Sequence, residues 1–379
     1  MKPIVIIGSG LAGYTFAREF RKLDQVTPVV MLTESSGYFY SKPNLSNALA
    51  KDQSADSLIA SSKEKMHEQI NIDIIDQVTA TEIDADKKTV TYGDTTLAYD
   101  RLVLATGSNV IHPKLKGDAI DHIYSVNHLE DYRKFREALH GKKRIAIIGS
   151  GLIAVEFAND LIENDHELDI ISMEDWPLQR LLPEEPARLL QKALAEKGIR
   201  WHFNELVDSV NSNDGEYVLK TVSGKTFNAD LVFSAVGIKP EASLARAAGI
   251  NVNQGIVVDE FLSASVKDVY ALGDCAEVEG SVLQYVLPLM TCARALAKTL
   301  SGDAEKVVYP CMPVVVKTPA WPVVVVPLRK ETKGEWQFES NEHGSRSLFY
   351  DKNKQLKAFI LTGDHVKERV TWIKQVVIA

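Results

Sequence analysis

The residues with the clearest chemical meaning are glycines in a short turn near the N-terminus. Gly8, Gly10 and Gly13 have the spacing G-x-G-x-x-G and directly follow the apolar run 4–7. Gly8 allows a sharp turn, Gly10 lets a pyrophosphate approach the backbone, and Gly13 lets a helix pack close to a strand. A buried strand, a tight turn and a helix N-terminus with unpaired amides together form a binding site for dinucleotide phosphates.

The surrounding elements favour this interpretation over a purely structural glycine turn. The pattern predicts a helix over 11–23 and a second strand over 28–32, which ends near Glu34. A carboxylate at that place accepts both ribose hydroxyls of a dinucleotide. A glycine motif alone is weak evidence, but strand, turn, helix, strand and acid in this order are much more specific.

The same motif occurs a second time. Gly149 and Gly151 follow the apolar run 144–148, and Ala154 is the small third residue that the fingerprint permits. Two copies about 140 residues apart predict two dinucleotide sites in one chain.

The next strand of this second copy, predicted over 168–171, runs into the segment that must face the second adenosine ribose. The segment is Ser172-Met173-Glu174-Asp175-Trp176. No arginine follows immediately, and the carboxylates of Glu174 and Asp175 would repel a 2′-phosphate. NADH is therefore favoured over NADPH.

Two charged residues near these motifs have more than one interpretation. Glu156 lies one turn into the second glycine helix. It either complements the helix dipole, accepts from a nicotinamide carboxamide, or pairs with a lysine near a flavin. Lys42 lies in a loop among aromatics and Pro43, where a lysine is either solvated or in contact with the first nucleotide.

Three later segments are predicted to complete the first site. Ala105-Thr106-Gly107 ends a buried strand, and Asp274 ends another, where it either caps a helix or binds a polyol chain. The helix that begins near Val286 has Pro288 in its first turn, and its amides can face a flavin pyrimidine edge.

Length and composition limit the possible classes of protein. The chain has 379 residues, 45% of them apolar and 25% charged, so two or three globular domains are expected. A net charge of −8 argues against nucleic-acid binding. No apolar run reaches the roughly 20 residues of a membrane span; the segment 314–328 is interrupted by prolines and a lysine and is predicted to form two buried strands.

The N-terminal apolar segment is interpreted as the first strand and not as a processed signal. Cys275, Cys292 and Cys311 form no C-x-x-C pair, which excludes a disulfide framework and a zinc or other metal cluster. A cytoplasmic location is the expectation.

The tail from Pro310 onward differs in charge from the rest. It has 11 Lys/Arg and 7 Asp/Glu, a net charge of +4, so the preceding 309 residues carry −8 − 4 = −12. The tail, with several short strands and a last helix predicted over 367–376, either docks an acidic partner or has ordinary solvated lysines such as Lys330, Lys352 and Lys354.

The chain resembles the two-dinucleotide flavoprotein reductases over essentially its whole length. This resemblance rests on the two glycine turns, Ala105-Thr106-Gly107 and Tyr270-Ala271-Leu272-Gly273-Asp274-Cys275-Ala276. Within that group the chain is most similar to the rubredoxin–NAD reductases. That similarity rests on Tyr40-Ser41-Lys42-Pro43-Asn44-Leu45-Ser46, Phe157-Ala158-Asn159-Asp160-Leu161, Leu287-Pro288-Leu289-Met290 and Val316-Lys317-Thr318-Pro319.

This resemblance implies an α/β protein with two Rossmann-like dinucleotide-binding domains, as in glutathione reductase, and a small α+β C-terminal domain. FAD would bind a discontinuous domain of residues 1–111 and 239–309, and NADH would bind residues 112–238 as substrate. Residues 310–379 would form the C-terminal domain, which is the candidate docking module for rubredoxin.

The resemblance also implies a set of site residues. The FAD set comprises Gly8, Ser9, Gly10, Leu11, Ala12, Gly13, Glu34, Ser35, Lys42, Pro43, Val78, Ala105, Thr106, Gly107, Glu156, Asp274, Val286 and Lys317. The NADH set comprises Gly149, Gly151, Leu152, Ile153, Glu174, Asp175 and Gly237. Glu156, Lys42 and Lys317 are the candidate catalytic residues, around the flavin ring and its junction with nicotinamide.

The chain departs from related ferredoxin reductases at two places. Asn47 stands where they carry a lysine, so Lys42 or Lys317 is expected to pair with Glu156. Ser172 stands at the usual position of the ribose-binding acid, so Glu174 or Asp175 is expected to take that role.

The chain has no paired cysteines, so electrons taken from NADH are expected to leave the flavin directly for an external one-electron carrier. The resemblance implies rubredoxin, an acidic iron protein, which would supply a hydroxylase such as an alkane hydroxylase. The alternatives are a ferredoxin reductase of an oxygenase system and a low-turnover NADH-sensing flavoprotein that binds a partner. A monomer or homodimer is expected.

Overall fold

The computed structural model describes residues 1–329 and 332–378, so Lys330 of the basic tail lies outside the described residues. The contacts divide the chain into two compact units. The first unit comprises Met1–Lys42, Asp56–Asn109 and Ile238–Tyr309, and the second comprises Pro43–Ala55, Val110–Gly237 and Pro310–Ala379. The three-domain division of the sequence analysis stays a prediction.

The core of the first unit is a five-stranded parallel sheet with the strand of the first glycine motif at its centre. Its strands, in spatial order, are Val269–Ala271, Arg101–Leu104, Ile4–Ile7, Val29–Leu32 and Asp73–Ile75. The residues of the neighbouring strands Ile4–Ile7 and Val29–Leu32 are almost fully buried, because helices and loops cover both faces of the sheet. The unit's helices are Leu11–Leu23, Lys63–Ile70, Ser243–Ala247 and Val286–Leu300.

Smaller sheets complete the first unit. An antiparallel sheet has strands Ala80–Asp84, Thr89–Tyr92 and Thr95–Ala98. Two strand pairs are Phe39–Tyr40 with Ile59–Ser61, and Ile256–Val258 with Ala276–Val278. Short 3₁₀ turns cover Asp56–Leu58 and Gly273–Cys275. A longer 3₁₀ helix, Lys42–Asn47, begins at the last residue of a first-unit segment, and its other residues belong to the second unit.

The second unit repeats the architecture around its own glycine turn. Its five-stranded parallel sheet has, in spatial order, Ile123–Tyr124, Leu231–Ser234, Arg144–Ile148, Glu167–Ile171 and Ile199–His202. An antiparallel sheet adds Val207–Asn213, Glu216–Thr221 and Thr226–Ala229. The helices are Leu129–Ala138, Leu152–Ile162 and Glu184–Glu196, with a 3₁₀ turn at Ile120–His122.

The C-terminal residues of the second unit form a five-stranded antiparallel sheet. Its strands, in spatial order, are Val314–Val316, Val323–Val326, Leu356–Gly363, Gly344–Asp351 and Gly334–Asn341. The prediction of two strands in 314–328 is thereby confirmed, but only Val323–Val326 is buried on both faces, since Val315 of the first strand is 51% exposed. One face packs Leu348, Phe359 and Leu361 against Trp372 and Ile373 of the last helix.

The predicted last helix over 367–376 is wrong in its extent. The chain forms a 3₁₀ helix over Asp364–Glu368 and an α-helix over only Arg369–Ile373. The Glu368 carboxylate accepts from His365, three residues before it, which favours the tighter turn. Among the described residues, no helix is long and apolar enough to cross a membrane.

Two short strands lie next to the segments where the chain passes between the units. They are Ser108–Val110 and Ile238–Pro240.

Candidate functional site

The glycine turn of the first unit is packed tightly at two of its three glycines. Gly8 has φ +111°, and a Cβ there would lie 2.2 Å from the carbonyl oxygen of Ala105. A Cβ on Gly13 would lie 2.0 Å from the carbonyl oxygen of Gly8. A Cβ on Gly10, in contrast, would meet no described atom within 4 Å. Of the three glycines, only Gly10 therefore borders open space, which is the position predicted for the approach of a phosphate.

The second unit repeats this geometry. Gly149 has φ +106°, and a Cβ there would lie 2.6 Å from the carbonyl oxygen of Ala235. A Cβ on Gly151 would meet no described atom within 4 Å. The third position is Ala154, whose side chain is fully buried.

Both turns lead into helices with favourable charge at their N-termini. The helices Leu11–Leu23 and Leu152–Ile162 begin after glycine N-caps, which have no side chain to cap the first amides. Neither first turn carries a carboxylate. Unpaired amides and the positive end of each helix dipole are therefore available to a phosphate.

Hydroxyl groups connect the first glycine turn to the end of the neighbouring strand. Ser9 Oγ lies 2.8 Å from Thr33 Oγ1 and 3.1 Å from Ser35 Oγ. The backbone amides of Gln77 and Val78 donate to the carbonyls of Ser35 and Thr33 at 3.1 and 3.0 Å. The Val78 amide is therefore engaged within the fold, and its role at an adenine stays a prediction.

The second unit has the same set of bonds at different residues. Ser150 Oγ lies 2.9 Å from Ser172 Oγ and 2.8 Å from Glu174 Oε2. The amides of Asn204 and Glu205 donate to the carbonyls of Glu174 and Ser172 at 3.1 and 2.9 Å. Ser172 and Glu174 thus correspond to Thr33 and Ser35 of the first unit.

By this correspondence, the acids Glu34 and Glu174 do not occupy equivalent positions in the two units. Glu34, which is exposed, follows Thr33 directly, but its counterpart after Ser172 is Met173, which is 69% exposed. The sequence pattern predicts the counterpart of this acid at Ser172, but the hydrogen bonds place it one residue later. The acid of the second unit, Glu174, lies one residue later and is turned toward Ser150. Asp175 is exposed, and its amide donates to Gln179 at 2.8 Å.

The strand ends predicted to complete the first site do converge on its glycine helix. Asp274 Oδ2 accepts from Ser108 Oγ at 3.0 Å, and Thr106 Oγ1 donates to the carbonyl of Glu241 at 2.6 Å. A Cβ on Gly273 would lie 2.7 Å from the Ala12 side chain. The structure therefore brings Asp274 and the 105–107 segment to the carboxyl edge of the sheet that carries Gly8 and Gly10.

Each unit has a buried polar side-chain atom that could donate a hydrogen bond to a bound dinucleotide. Gln284 Nε2, two residues before Val286 at the start of helix Val286–Leu300, is buried and has no partner among the described residues. Ser234 Oγ, at the carboxyl end of its strand beside the second glycine turn, is likewise buried without a described partner. The open glycine positions and these donors fit one dinucleotide in each unit.

A buried charged pair lies in the second unit. Glu156 is 4% exposed, and its Oε2 lies 2.8 Å from Lys317 Nζ. Ser46 Oγ lies 2.6 Å from both Glu156 Oε2 and Lys317 Nζ. The Lys317 amide donates to Glu156 Oε1 at 3.0 Å, and its Nζ donates to the Pro43 carbonyl. Of the two lysines considered in the sequence analysis, the structure thus pairs Lys317 with Glu156.

Sequence reasoning missed two further polar residues on the same helix. The side chain of Asp160 accepts from the amides of Leu49 and Ala50 at 2.8 and 3.0 Å, and Asn159 Oδ1 accepts from the amide of Ala320 at 3.2 Å. Burial raises the pKa of Asp160 despite its two amide donors. The detectable signal was three polar residues at helical spacing in an otherwise apolar helix.

The surroundings of the remaining predicted site residues indicate less about their roles. Lys42 begins the 3₁₀ helix Lys42–Asn47 and belongs to the first unit, whereas Pro43 belongs to the second. Gly237 has φ +128°, which a side-chain-bearing residue rarely adopts. Val286 is 38% exposed at the first position of its helix.

Comparison with known proteins agrees with this geometry. A family model described as pyridine nucleotide-disulphide oxidoreductase matches residues 2–297, and one described as a rubredoxin binding C-terminal domain matches residues 306–376. A rubredoxin-NAD(+) reductase of Alcanivorax borkumensis is 45% identical over 99% of this chain and 98% of its own. One from Acinetobacter baylyi is 42% identical over 99% and 98%.

Among solved structures, a ferredoxin reductase from Rhodopseudomonas palustris superposes with a TM-score of 0.90. It is 23% identical to this chain, and the match covers 100% of this chain and 96% of that one. At this identity the likeness concerns the fold alone.

Proposed function

Because the chain belongs to the pyridine nucleotide-disulphide oxidoreductase family, we propose that it transfers electrons from NADH through FAD to rubredoxin. The observation that carries the choice of acceptor is the match of residues 306–376 to a rubredoxin-binding C-terminal domain. The two duplicated glycine turns supply one site for each dinucleotide. The protein is thus an oxidoreductase with FAD as cofactor and NADH as substrate.

The first unit would hold FAD. Its pyrophosphate fits the open position at Gly10, where helix amides point outward, and Glu34 would accept the ribose hydroxyls. Asp274, oriented by Ser108, would bind the ribityl chain, and the helix that begins at Val286 would face the pyrimidine edge. FAD, when bound, accepts a hydride from NADH and releases its electrons singly.

The second unit would hold NADH. Its pyrophosphate fits the open position at Gly151, and Leu152 and Ile153 begin the helix whose amides face it. Glu174 is the stronger candidate for the adenosine ribose, because Ser150 orients its carboxylate, whereas Asp175 is exposed and bonded to Gln179.

Glu156 and Lys317 would serve the hydride-transfer step. The side chain of Lys317 is 25% exposed, and its partners are a carboxylate, a hydroxyl and a carbonyl, which together fix the position of Nζ. The three N–H donors of Lys317 are taken up by Glu156, Ser46 and the Pro43 carbonyl. We propose that Glu156 orients Lys317 and that Lys317 acts on the reacting ring through its positive charge and not through a hydrogen bond. Lys42 stays a second candidate for contact with the flavin.

The cysteines support an acceptor outside the protein. Burial raises the pKa of Cys275 and Cys311, and it raises the pKa of Cys292 to about 11. All three are free thiols in the structure and would be protonated near neutral pH, and a protonated thiol is a poor nucleophile. None is therefore suited to relay electrons through a disulfide.

Turnover assays with purified carriers test the acceptor. NADH oxidation should be fast with rubredoxin and at least tenfold slower with a [2Fe–2S] ferredoxin at equal concentration. Faster turnover with the ferredoxin would favour a ferredoxin reductase of an oxygenase system. Negligible turnover with either carrier, despite bound FAD, would favour an NADH-sensing flavoprotein.

We also infer a cytoplasmic location and an assembly of one or two copies. The absence of a disulfide among the three cysteines is typical of a reducing compartment. We propose that the reduced carrier supplies a hydroxylase such as an alkane hydroxylase. Light scattering of the purified protein distinguishes a monomer from a homodimer.

A further inference from the structure

We propose that Asn159 and Asp160 are positioning residues for the charge of Lys317. Asp160 anchors the strap, defined as residues 43–55, and Asn159 anchors the turn that follows Lys317. This inference rests on the proposed function, because it takes Lys317 as the charge that acts on the reacting ring. It goes beyond that function by naming two residues that act on this charge through the backbone of other segments.

The two residues share one face of the helix Leu152–Ile162 with Glu156. The three positions have the spacing i, i+3 and i+4, and every other residue of this helix is apolar. Each of the three side chains is at most 4% exposed. Burial of a polar group costs free energy unless hydrogen bonds compensate for it, so this face is a place where other segments attach.

Asp160 holds the part of the strap that supplies partners to Lys317. Its two carboxylate oxygens accept separately from the amides of Leu49 and Ala50, at 2.8 and 3.0 Å. Hydrogen bonds to a carboxylate are stronger than neutral ones, and two of them fix both the position and the orientation of this backbone. Ser46, three residues before Leu49, lies 2.6 Å from Lys317 Nζ.

The other end of the strap is attached independently. The Gln53 carbonyl accepts from Arg136 at 2.8 Å, and Asp52 pairs with the same guanidinium at 2.6 Å. The side chain of Asp52 is 94% exposed. Asp160 therefore holds the half of the strap that carries Ser46, and Asp52 is a second carboxylate on the strap that provides a matched control.

Asn159 holds the backbone that leads away from Lys317. Its Oδ1 accepts from the amide of Ala320 at 3.2 Å, three residues after the lysine. The turn is closed by Thr318, whose hydroxyl donates to the Trp321 carbonyl at 2.8 Å, and by the Trp321 amide, which donates to the Thr318 carbonyl at 2.9 Å. Loss of the Asn159 acceptor would release this closed turn from the helix.

Amide hydrogen exchange, followed by mass spectrometry on the FAD-loaded protein, tests the anchors without turnover. Asp160→Asn keeps the size of the side chain but presents an NH₂ group to one of the two amides. Exchange in peptides of the strap should rise at least tenfold, whereas Asp52→Asn should raise it less than threefold. Unchanged exchange in Asp160→Asn, or an equal rise in Asp52→Asn, would overturn the proposal.

If Asp160→Asn does not fold, Asn159→Leu provides the second variant. It removes the acceptor of the Ala320 amide and keeps a side chain of similar size. Exchange in peptides that cover residues 317–321 should rise at least tenfold. Unchanged exchange there would contradict the role of Asn159.

A double-mutant cycle tests whether Asp160 acts through Lys317. Asp160→Asn should slow reduction of the flavin by NADH at least threefold and leave the Kd for NAD⁺ within twofold of wild type. Loss of a negative charge would not by itself slow transfer of a hydride to the ring, so a lower rate indicates lost positioning. In a Lys317→Met background, Asp160→Asn should have no further effect, and an equal slowing in both backgrounds would overturn the proposal.

Reduction of the wild-type flavin by NADH is recorded in parallel. Its failure would count against the proposed function. Its success, beside unchanged exchange and an unchanged reduction rate in Asp160→Asn, would count against this inference alone.

Discussion

At the scale of single residues, the carboxylate of Glu156 is held by several partners. A buried charge is tolerated only with compensating partners, and here Lys317 and Ser46 supply them. The sequence indicated Glu156 and offered two lysines as partners. It did not identify Ser46, because a serine 110 positions away carries no local signal of such a contact.

Substitution of Glu156 by glutamine tests the role of this pair. The side chain keeps its size, but Lys317 loses its charged partner and its fixed position. We expect reduction of the flavin by NADH to slow about tenfold or more, equivalent to at least about 1.4 kcal/mol in the barrier. Stopped-flow absorbance measures the rate.

The control for this variant is its FAD content, measured from the flavin absorbance of the purified protein. FAD should stay bound, since the proposed cradle for its phosphates lies in the first unit. Unchanged reduction kinetics with full FAD content would rule out the proposed role of Glu156.

At the scale of elements, the strand–turn–helix motif separates residues that hold the fold from those that face a ligand. Gly13 lies against the backbone of Gly8, whereas Gly10 borders open space. Gly10 has φ −68°, which alanine adopts without strain. The two positions therefore form a matched pair for mutagenesis.

Gly13→Ala should destabilise the first unit by about 1–3 kcal/mol, because its methyl group overpacks the turn. Gly10→Ala should change stability by less than about 0.5 kcal/mol and weaken FAD binding at least tenfold, as its methyl group occupies the phosphate approach. Denaturation of the apoprotein and FAD titration measure the two effects. A Gly10→Ala variant with wild-type FAD affinity would show that the pyrophosphate does not bind there.

A second element-scale prediction concerns the central strands of the second unit. Asp230, just before strand Leu231–Ser234, binds the Arg144 guanidinium at 2.6 Å and the amides of Lys143 and Arg144 at 3.0 and 2.8 Å. Burial alone would raise the pKa of Asp230, but these hydrogen bonds lower it to about 2. Its ionised form thus stabilises the folded state.

Because the pKa of Asp230 is lower in the folded than in the unfolded protein, its stabilisation is complete above about pH 4 and is lost as the pH falls toward 2. Asp230→Asn should lower the free energy of unfolding by about 2 kcal/mol at pH 6. At pH 3 the difference from wild type should shrink to about half. Urea denaturation at both pH values measures this, and an equal difference at both would contradict it.

Patterns of apolar residues predicted the strands and helices that position the sites. They were less successful for the strands of the small sheets. The helix Leu11–Leu23 and the parallel strands follow from runs of buried residues and glycine turns. The strands Thr95–Ala98 and Thr226–Ala229 were missed, because each is short, partly exposed and stabilised mainly by pairing with its neighbour. The last helix was also predicted too long, because apolar spacing does not reveal the hydrogen bond between His365 and Glu368 in the 3₁₀ turn before it.

At the scale of the whole molecule, charge is distributed unevenly along the chain. The tail carries +4 and the remainder −12. Part of the tail's positive charge is neutralised internally, since Arg346 pairs with Glu368 and Lys367 with Asp364. Lys352 and Lys354, which are exposed in a turn, are the candidates for attraction of an acidic carrier.

If the tail attracts rubredoxin, kcat/KM for rubredoxin should fall as ionic strength rises, because exposed charges are screened over about 8 to 10 Å at physiological salt. Lys352→Glu should lower kcat/KM about threefold at low salt and have little effect at high salt. Lys22→Glu, the same charge change at an exposed residue of the first unit, is the control. A flat salt profile would show that the tail lysines are ordinary solvated surface.

The most direct test of electron flow from NADH through FAD to rubredoxin is sequential-mixing stopped flow on the purified protein. Addition of NADH should bleach the flavin absorbance, and subsequent addition of oxidised rubredoxin should restore it while the carrier loses its colour. A protein that cannot be loaded with FAD, or whose bleached flavin is not reoxidised by rubredoxin, would contradict the account.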